Sequence, residues 1–297
     1  MNKKSLIEKY QYLENTHQPR AALFHDLSGF GKCSLTVALP ILSAAGVEAS
    51  CIPTAVLSTH TGGFEGYTFR DLTEDLPAFL AHWKELGFEF DAVYSGYLGS
   101  PEQAEILEAF VETQKPETLF FVDPVMGDFG SLYPGFDDGM VRAMRKLIGK
   151  ADLILPNMTE ASLLLGIPYQ EPPYSEEYVN KIVRELAAVG PQFVILTGIG
   201  LEEGQTGAAV YDSAADQVDF IETEQLPGSF HGTGDVFSSL VLAGLMNGKP
   251  LTEAVRIAVD LTAEAIARTI VRKRPAREGV DFEGVLPQLI ERLGHSE

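Results

Sequence analysis

Hydrophobic residues along the chain fall into short, nearly continuous runs that alternate with longer stretches of helical periodicity. Most of these runs are apolar throughout, which is typical of strands that a parallel sheet buries on both faces. A polar stretch, residues 1–18, precedes the first run and predicts an N-terminal extension that could hold a short helix. The runs predict strands at 21–24, 47–57, 91–96, 119–123, 152–156 and 193–198.

Capping residues mark the ends of several helices. Ser100, followed by Pro101 and by Gln103, predicts the start of a helix over 100–114. A shorter helix is predicted between Asn157 and Gly166. The remaining periodic segments predict helices at 175–190, 233–247, 251–270 and 282–293, and a β-hairpin at 207–221.

Alternation of strands and helices predicts an α/β fold of three α/β/α layers around a doubly wound, mostly parallel sheet. The sequence shows no internal repeat, no low-complexity linker and no break in composition. Residues 19–297 are therefore predicted to form a single domain.

The net charge of the chain limits which kinds of molecule it is expected to bind. The 297 residues carry a formal net charge of −20, which argues against binding to nucleic acid or to an anionic membrane. An anionic ligand would need metal ions, backbone N–H groups or a few local cations. The beginning lacks the apolar run of a signal peptide, and no stretch is long and apolar enough to span a bilayer, so we expect a cytoplasmic enzyme.

The segment GSFHGTGDVFSSL, residues 228–240, carries the clearest chemical signal. Gly232 and Gly234 allow a sharp turn, and the following helix directs its free N–H groups towards that turn, as an anion site requires. Asp235 could simply complement the helix dipole. Beside an anion site it could instead be the general base that takes the proton of an attacking alcohol.

Other polar residues follow predicted strands. Asp123 and Asp128 could bind Mg²⁺ or form a turn, and Asn157 with Glu160 has the pattern of a capping box. Residues 28–34, SGFGKCS, match neither a Walker A loop nor a dinucleotide fingerprint. This stretch is a turn after the first strand, and it could carry Asp26 and Ser28 to a ligand or be a turn only.

Seven motifs together resemble the pyridoxal kinase branch of the ribokinase-like superfamily, in order and in spacing, over roughly residues 20–293. The resemblance implies a ribokinase-like kinase domain that phosphorylates the hydroxymethyl group of pyridoxal, pyridoxamine or pyridoxine with ATP and Mg²⁺. It also implies a homodimer. The motifs are STHTG (58–62), SGYLGS (95–100), DPVMGD (123–128), PNMTE (156–160), TGIG (197–200), GTGD (232–235) and EGVDFE (278–283).

The resemblance also implies roles for individual residues. Asp235 would be the catalytic base, with Gly232, Thr233 and Gly234 around the anion hole. The pyridine ring would lie near Asp26, Ser28, His60, Thr61 and Tyr97. Nucleotide phosphates and Mg²⁺ would be handled by Asp123, Asp128, Tyr133, Asn157, Glu160, Thr197 and Gly198, with Asp123, Asp128 and Glu160 closest to the metal.

Departures from that branch keep two alternatives open. Asp26 stands where the branch usually has a serine and resembles hydroxymethylpyrimidine kinases, although those typically carry cysteine in place of Asp235. A hydroxymethylpyrimidine kinase is therefore the second interpretation. A non-catalytic protein that binds pyridoxal phosphate is the third. In addition, Leu155 replaces a threonine of some relatives, and the loop from Asp128 to Tyr133 is short.

Overall fold

The computed structural model describes residues 16–294, so all but the last residues of the predicted N-terminal extension lie outside the described part. The first half of the chain alternates strands and helices, with one small hairpin. Its elements are β1 (Arg20–Ser28), α1 (Leu35–Ala44), β2 (Glu48–Leu57), β3 (Phe69–Asp71), α2 (Leu76–Glu85), β4 (Ala92–Ser95), α3 (Pro101–Val111), β5 (Leu119–Val122), β6 (Gly127–Asp128), β7 (Ser131–Leu132) and α4 (Asp138–Ile148).

The second half adds a β-hairpin and two long helices. Its elements are β8 (Leu153–Ile154), α5 (Met158–Leu165), α6 (Glu176–Ala187), β9 (Phe193–Thr197), β10 (Gln205–Asp212), β11 (Gln217–Glu224), α7 (Thr233–Met246), α8 (Leu251–Val271) and α9 (Leu286–Leu293), with short 3₁₀ turns at Ala276–Glu278 and Phe282–Val285.

Nine strands form one sheet in the order β11-β10-β9-β8-β5-β4-β1-β2-β3. The six strands from β9 to β2 are parallel to their neighbours, whereas the hairpin β10–β11 and the short edge strand β3 are antiparallel. Helices cover both faces: α1, α7, α8 and α9 pack on one, and α2 to α6 on the other. The three-layer, mostly parallel α/β fold is therefore confirmed.

Caps close the helices at the predicted positions. The Ser100 hydroxyl accepts a hydrogen bond from the Gln103 N–H, and Asn157 and Glu160 form a complete capping box. Three helices, α1, α2 and α4, were not predicted. In α1, Pro40 interrupts the expected pattern, yet the helix forms because its apolar face, including Leu42, packs into the core.

Candidate functional site

All sixteen residues that the sequence marked as site residues line one cavity of about 1060 Å³. The cavity lies at the carboxyl edge of the parallel strands, because β1, β4, β5, β8 and β9 all end there. The sequence predicted each residue separately, and the sheet brings them together: Asp26, Ser28, His60, Thr61, Tyr97, Asp123, Asp128, Tyr133, Asn157, Glu160, Thr197, Gly198, Gly232, Thr233, Gly234 and Asp235.

The beginning of α7 forms one wall of the cavity. Gly232 is the N-cap residue with φ of 76°, and no side chain caps the first turn. A Cβ on Gly232 would collide with the Lys32 carbonyl oxygen, whereas one on Gly234 would meet no atom within 4 Å. The N–H groups of this turn therefore face the cavity uncapped, which is the arrangement that binds anions at helix N-termini.

Asp235 lies in the same turn, one residue beyond Gly234. Burial raises the pKa of this carboxyl to about 7, opposed by a hydrogen bond from the Ser34 backbone N–H and reinforced by the negative charge of Asp26. A carboxyl group with a pKa near neutrality can accept a proton from an alcohol and release it again. Asp235 therefore lies beside an uncapped helix N-terminus with a carboxyl pKa near neutrality.

Three acids were predicted on the metal side. Burial and the nearby Asp235 charge raise the pKa of Asp123 to about 8, while Asp128 is exposed at the end of β6. Both carboxylate oxygens of Glu160 accept backbone hydrogen bonds, from Met126 at 3.2 Å and Asn157 at 2.9 Å. Across residues 16–294, no three acidic, histidine or cysteine side chains are grouped to hold a metal ion directly.

These contacts restrict how Mg²⁺ could bind. Mg²⁺ commonly keeps several waters and takes only one or two carboxylates together with phosphate oxygens. Asp123 and Asp128 fit that pattern as acids facing one cavity. Glu160 accepts one backbone hydrogen bond on each carboxylate oxygen, and its contribution to a metal site stays a prediction.

Hydrogen bonds to the backbone connect the elements around Asn157, the part of the cavity where the nucleotide phosphates are predicted to lie. The Asn157 side-chain amide donates to the Gly127 carbonyl at 2.9 Å, which joins α5 to the β6–β7 hairpin. Asn157 also bridges to Thr197 at the end of β9. Gly198 follows with φ of 70° and open space around it. These contacts join α5, the β6–β7 hairpin and the end of β9 on one side of the cavity. Tyr133 lines the same cavity, and its pKa is raised by burial and by the surrounding acids.

The opposite end of the cavity carries the predicted ring contacts. Asp26 is buried, and its carboxylate accepts a hydrogen bond from the Ser28 hydroxyl at 2.8 Å. Burial raises the pKa of Asp26, opposed by hydrogen bonds from Ser34 and Ser28. Tyr97 stacks on Phe136, with ring centroids 5.5 Å apart. A planar heterocycle could lie against these aromatic rings with a ring nitrogen directed at Asp26.

His60 lines the cavity but uses both ring nitrogens within the protein. Its Nε2 is 2.7 Å from the Arg277 carbonyl oxygen, and its Nδ1 accepts from the Gly62 N–H at 3.1 Å. The contact of His60 with the substrate stays a prediction, and it would have to involve other atoms than these two bonded ring nitrogens. They hold the segment around residue 60 against the C-terminal part of the chain.

Most of the ionisable side chains that line the cavity are acidic. Within the described residues, six acids line it, no lysine or arginine does, and the only basic groups are His60 and His231. In the basic stretch 268–277, Arg268 and Arg272 pair with Asp281, and Arg274 pairs with Glu278. Bound phosphates would therefore depend on backbone N–H groups, divalent cations and His231.

Comparison with known proteins matches this architecture to a family. The family model for phosphomethylpyrimidine kinase matches residues 39–277. The chain belongs to the phosphomethylpyrimidine kinase family. Members of this family compared below include pyridoxal kinases, which confirms the resemblance drawn from the seven motifs.

The similarity to known proteins extends over most of the chain. The pyridoxine/pyridoxal/pyridoxamine kinase of Bordetella avium is 30% identical over 253 residues, covering 81% of this chain and 82% of that protein. A candidate phosphomethylpyrimidine kinase from Bacteroides thetaiotaomicron, crystallised with pyridoxal, is 40% identical with a TM-score of 0.88 over 92% of this chain and 96% of that one.

Two further structures extend the likeness. Pyridoxal kinase from Lactobacillus plantarum is 35% identical, with a TM-score of 0.87 over 95% of this chain and all of that one. Pyridoxal kinase from Leishmania donovani, in complex with ADP and pyridoxamine, is 21% identical with a TM-score of 0.82, covering 91% of this chain and 95% of that one, and supports the fold. In residues 16–294 of this family member, no helix has the length and apolar character of a membrane span.

Several cavity residues of this family member escaped the sequence analysis. Ser34, Phe136, His231 and Ser238 all line the site. Spacing offered one usable signal: Ser238 follows Asp235 by three residues and so lies on the same side of α7. The other three carry no local pattern that distinguishes them from ordinary loop residues.

Proposed function

We propose that this protein is an ATP-dependent kinase that phosphorylates the hydroxymethyl group of pyridoxal, pyridoxamine or pyridoxine. One observation carries the proposal: a carboxyl group with a pKa near neutrality, Asp235, lies in an uncapped helix N-terminus that faces the same cavity as Asp26. The pyridoxal present in the Bacteroides structure and the names of the Bordetella and Lactobacillus relatives support this choice of substrate.

Proton transfer in the proposed reaction runs to Asp235. The substrate hydroxyl gives its proton to the carboxylate while its oxygen forms a bond to the γ-phosphorus of ATP. The bond between that phosphorus and the bridging oxygen of ADP breaks, and the electron pair leaves with ADP. The N–H groups at Gly232, Thr233 and Gly234 stabilise the charge on the transferring group.

Phosphate binding has to overcome the acidic lining. Mg²⁺ would neutralise phosphate charge when bound, and Asp123 and Asp128 are the carboxylates placed to hold it. His231, directly before the glycine turn, is a basic side chain that lines the cavity and could meet a phosphate. Apolar residues at the far end, Val259 and Ile266, suit the nucleobase.

Recognition of the ring follows from Asp26. A buried carboxylate that already accepts from Ser28 favours a protonated ring nitrogen, which provides a charge-assisted hydrogen bond. The same reasoning supports the second candidate, a hydroxymethylpyrimidine kinase, because a pyrimidine nitrogen could replace the pyridine nitrogen. The family model supports this alternative as well.

The test is ADP release from Mg-ATP with pyridoxal, pyridoxamine, pyridoxine and hydroxymethylpyrimidine, compared with the Asp235→Asn variant. We expect turnover of at least one pyridoxine-type vitamer, and a loss of about 100-fold or more in the variant with ADP binding retained. Turnover of the pyrimidine alone would favour the second candidate. Full activity of Asp235→Asn would contradict the assigned base, and no turnover of any compound would favour a binding protein.

A further inference from the structure

The lysine of the SGFGKCS segment points away from the cavity. Among the described residues, Lys32 is not one of those that line it, and its side chain is only 16% exposed. Its Nζ donates to the Val280 carbonyl at 2.9 Å and pairs with the Glu283 carboxylate at 2.5 Å. The same ammonium group lies 5.4 Å from the centre of the Phe282 ring. Lys32 is therefore anchored to the C-terminal segment, residues 276–283.

The main chain of Lys32 is packed between two glycines. A Cβ on Gly232 would collide with the Lys32 carbonyl oxygen, and a Cβ on Gly279 would lie 2.7 Å from Cβ of Lys32. Both glycines have a positive φ, 76° and 85°. The glycine turn before Asp235 therefore rests directly on the backbone of Lys32, which rests in turn on the C-terminal segment.

We propose that Lys32 is a positioning residue that fixes the glycine turn. Its side chain anchors the loop 29–33 to the C-terminal segment, and the loop supports the turn whose N–H groups would hold the transferred phosphoryl group. A Walker A lysine contacts phosphate with its own side chain, whereas Lys32 acts through its main chain. The inference rests on the proposed kinase function, and that proposal assigns no role to Lys32.

The C-terminal segment supports more than one loop of the cavity. Three successive carbonyl groups accept hydrogen bonds from three separate loops, as follows: Ala276 from the His231 N–H at 3.4 Å, Arg277 from Nε2 of His60 at 2.7 Å, and Glu278 from the Lys32 N–H at 3.2 Å. His231 directly precedes the glycine turn, and His60 belongs to the predicted vitamer side. One short segment thus sets the positions of both sides relative to each other.

A purely structural role of the lysine predicts a different result. Its loss would then loosen the C-terminal segment and lower stability, while the glycine turn kept its place. Positioning predicts that the turn itself becomes mobile, and a displacement of about 1 Å can cost about 100-fold in rate. The mobility of the turn and the turnover rate therefore separate the two roles.

The experiment compares four variants of the full chain. Lys32→Met keeps the aliphatic stem and removes the donors, and Lys32→Arg restores them. Glu283→Gln is a milder second variant that removes only the charge of the partner. Lys249→Met is the matched control, because Lys249 is 24% exposed, pairs with Glu253 at 3.0 Å and is not one of the residues that line the cavity.

Hydrogen exchange followed by mass spectrometry measures the mobility of residues 228–236 and 276–285 in the protein alone. Steady-state kinetics give kcat and the KM for pyridoxal with Mg-ATP, and calorimetry gives the affinity for Mg-ADP. Thermal unfolding reports the stability cost of each variant. The exchange measurement needs no substrate, so it tests the position of the turn independently of turnover.

In Lys32→Met, we expect exchange at 228–236 to be about 10-fold faster or more and kcat to fall about 10-fold or more. The KM for pyridoxal and the affinity for Mg-ADP should stay within about twofold of the wild-type values, because neither ligand carries the transferred phosphoryl group. Lys32→Arg should restore kcat to within about threefold, since a guanidinium can donate to the same oxygens.

The other two variants complete the expected result. Glu283→Gln should accelerate exchange at 228–236 by about twofold, a smaller effect because an exposed ion pair is weak. Lys249→Met should show wild-type exchange at 228–236 and a wild-type kcat.

Three results would overturn the proposal: exchange that accelerates only at 276–285, wild-type exchange at 228–236 in both Lys32→Met and Glu283→Gln, or a loss of kcat that Lys32→Arg does not restore. The kinase proposal fails in a different way. A wild-type protein that phosphorylates none of the vitamers would refute the kinase alone if Lys32→Met still accelerates exchange in the glycine turn.

Discussion

The Asp235 carboxyl is electrostatically connected to two other acids, Asp26 on the substrate side and Asp123 on the nucleotide side. An isolated acid at a helix N-terminus is stabilised by the dipole. In this cavity, burial outweighs that gain and raises the pKa of Asp235 to about 7. The proton affinity that suits a base at neutral pH therefore comes at the expense of folding stability.

Replacing this acid should stabilise the fold. The pKa of Asp235 is raised in the folded state from 3.8 to about 7, so its ionised form disfavours folding above pH 4, fully so above about pH 7. Asp235→Asn should raise the free energy of unfolding by about 1–2 kcal/mol at pH 8, a discounted figure because the group is partly exposed. The gain should shrink towards pH 4.

Urea unfolding at pH 8 and pH 5 measures this difference. Asp219→Asn is the matched control, because that carboxylate lies on the exposed hairpin and has no contact with the cavity. A pH-independent gain, or a loss of stability at pH 8, would contradict the assigned cost of the buried charge.

Asp26 provides the second prediction at this scale. Asp26→Asn keeps the shape of the side chain but removes the charge that would pair with a protonated ring nitrogen. We expect the KM for the preferred vitamer to rise about 10-fold or more, since a hydrogen bond to a charged group is worth about 1.5–3 kcal/mol. Steady-state kinetics measure this value, and Mg-ADP affinity should be unchanged. An unaltered KM would remove Asp26 from ring recognition.

Among the secondary structure elements, the beginning of α7 lies against the loop before α1, next to Asp235. Ser34, the N-cap residue of α1, has a φ of 50°, which is uncommon for a residue with a side chain. Hydrogen bonding from Ser34 acts to lower the pKa of both Asp26 and Asp235, against the larger effect of burial. Gly232 begins α7 against the loop that precedes α1.

Two glycines of α7 should respond differently to alanine. Gly232→Ala combines a positive φ with a collision against the Lys32 carbonyl, and it should destabilise the fold by about 2–4 kcal/mol. Gly234→Ala meets no atom, and it should leave stability within about 1 kcal/mol of the wild-type value.

Activity completes the comparison of the two variants. Because the methyl group of Gly234→Ala projects where the phosphoryl group would approach the N–H groups, kcat/KM should fall about 10-fold or more in a stable protein. Thermal unfolding and ADP release measure both quantities. A fully active Gly234→Ala would place the phosphate elsewhere, and a stable Gly232→Ala would contradict the close contact with Lys32.

For the whole molecule, charge decides how an anionic ligand can enter. The chain carries a formal net charge of −20, and six of its acids line the cavity without a lysine or arginine among the described lining residues. Acids elsewhere pair with the basic residues, as Asp281 does with Arg272 at 2.9 Å and Glu283 with Lys32 at 2.5 Å. The field at the site therefore opposes nucleotide unless a cation accompanies it.

Removal of Mg²⁺ should strongly weaken ADP binding but leave pyridoxal binding nearly unchanged. In EDTA, we expect ADP affinity to fall by about 100-fold or more, because free ADP meets an acidic cavity. Pyridoxal binding, followed by its absorbance, should be within about twofold of the value in Mg²⁺, since the proposed ring contact, Asp26, is not one of the carboxylates proposed to hold Mg²⁺. ADP binding of equal strength with and without Mg²⁺ would contradict this account of the cavity.

Local patterns predicted a large part of the site. The capping box at Asn157, the glycine turn before Asp235 and the continuous apolar strands are all short-range features, and each is present where it was expected. A parallel sheet then gathers the strand ends without further information. The roles of these residues in catalysis and metal binding stay predictions until the variants are measured.

Long-range contacts could not be predicted in the same way. His60 bonds to a carbonyl 217 positions away, Tyr94 lies next to Ser238 across 144 positions, and Arg272 and Arg274 pair with Asp281 and Glu278. The interior Pro40 of α1 obscured a helix that packing enforces. These hydrogen bonds, ion pairs and helix contacts depend on which distant segments pack against each other.

The sequence by itself determined the fold class, the family and most of the strands of the large sheet, because periodicity, caps and motif spacing reflect backbone geometry within a few residues. The tertiary structure alone decided which side chains are already bound to one another and how far burial moves the pKa of Asp123 and Asp235. The reason is physical: hydrogen-bond partners and exclusion of water arise from packing between distant segments, and no local pattern encodes them.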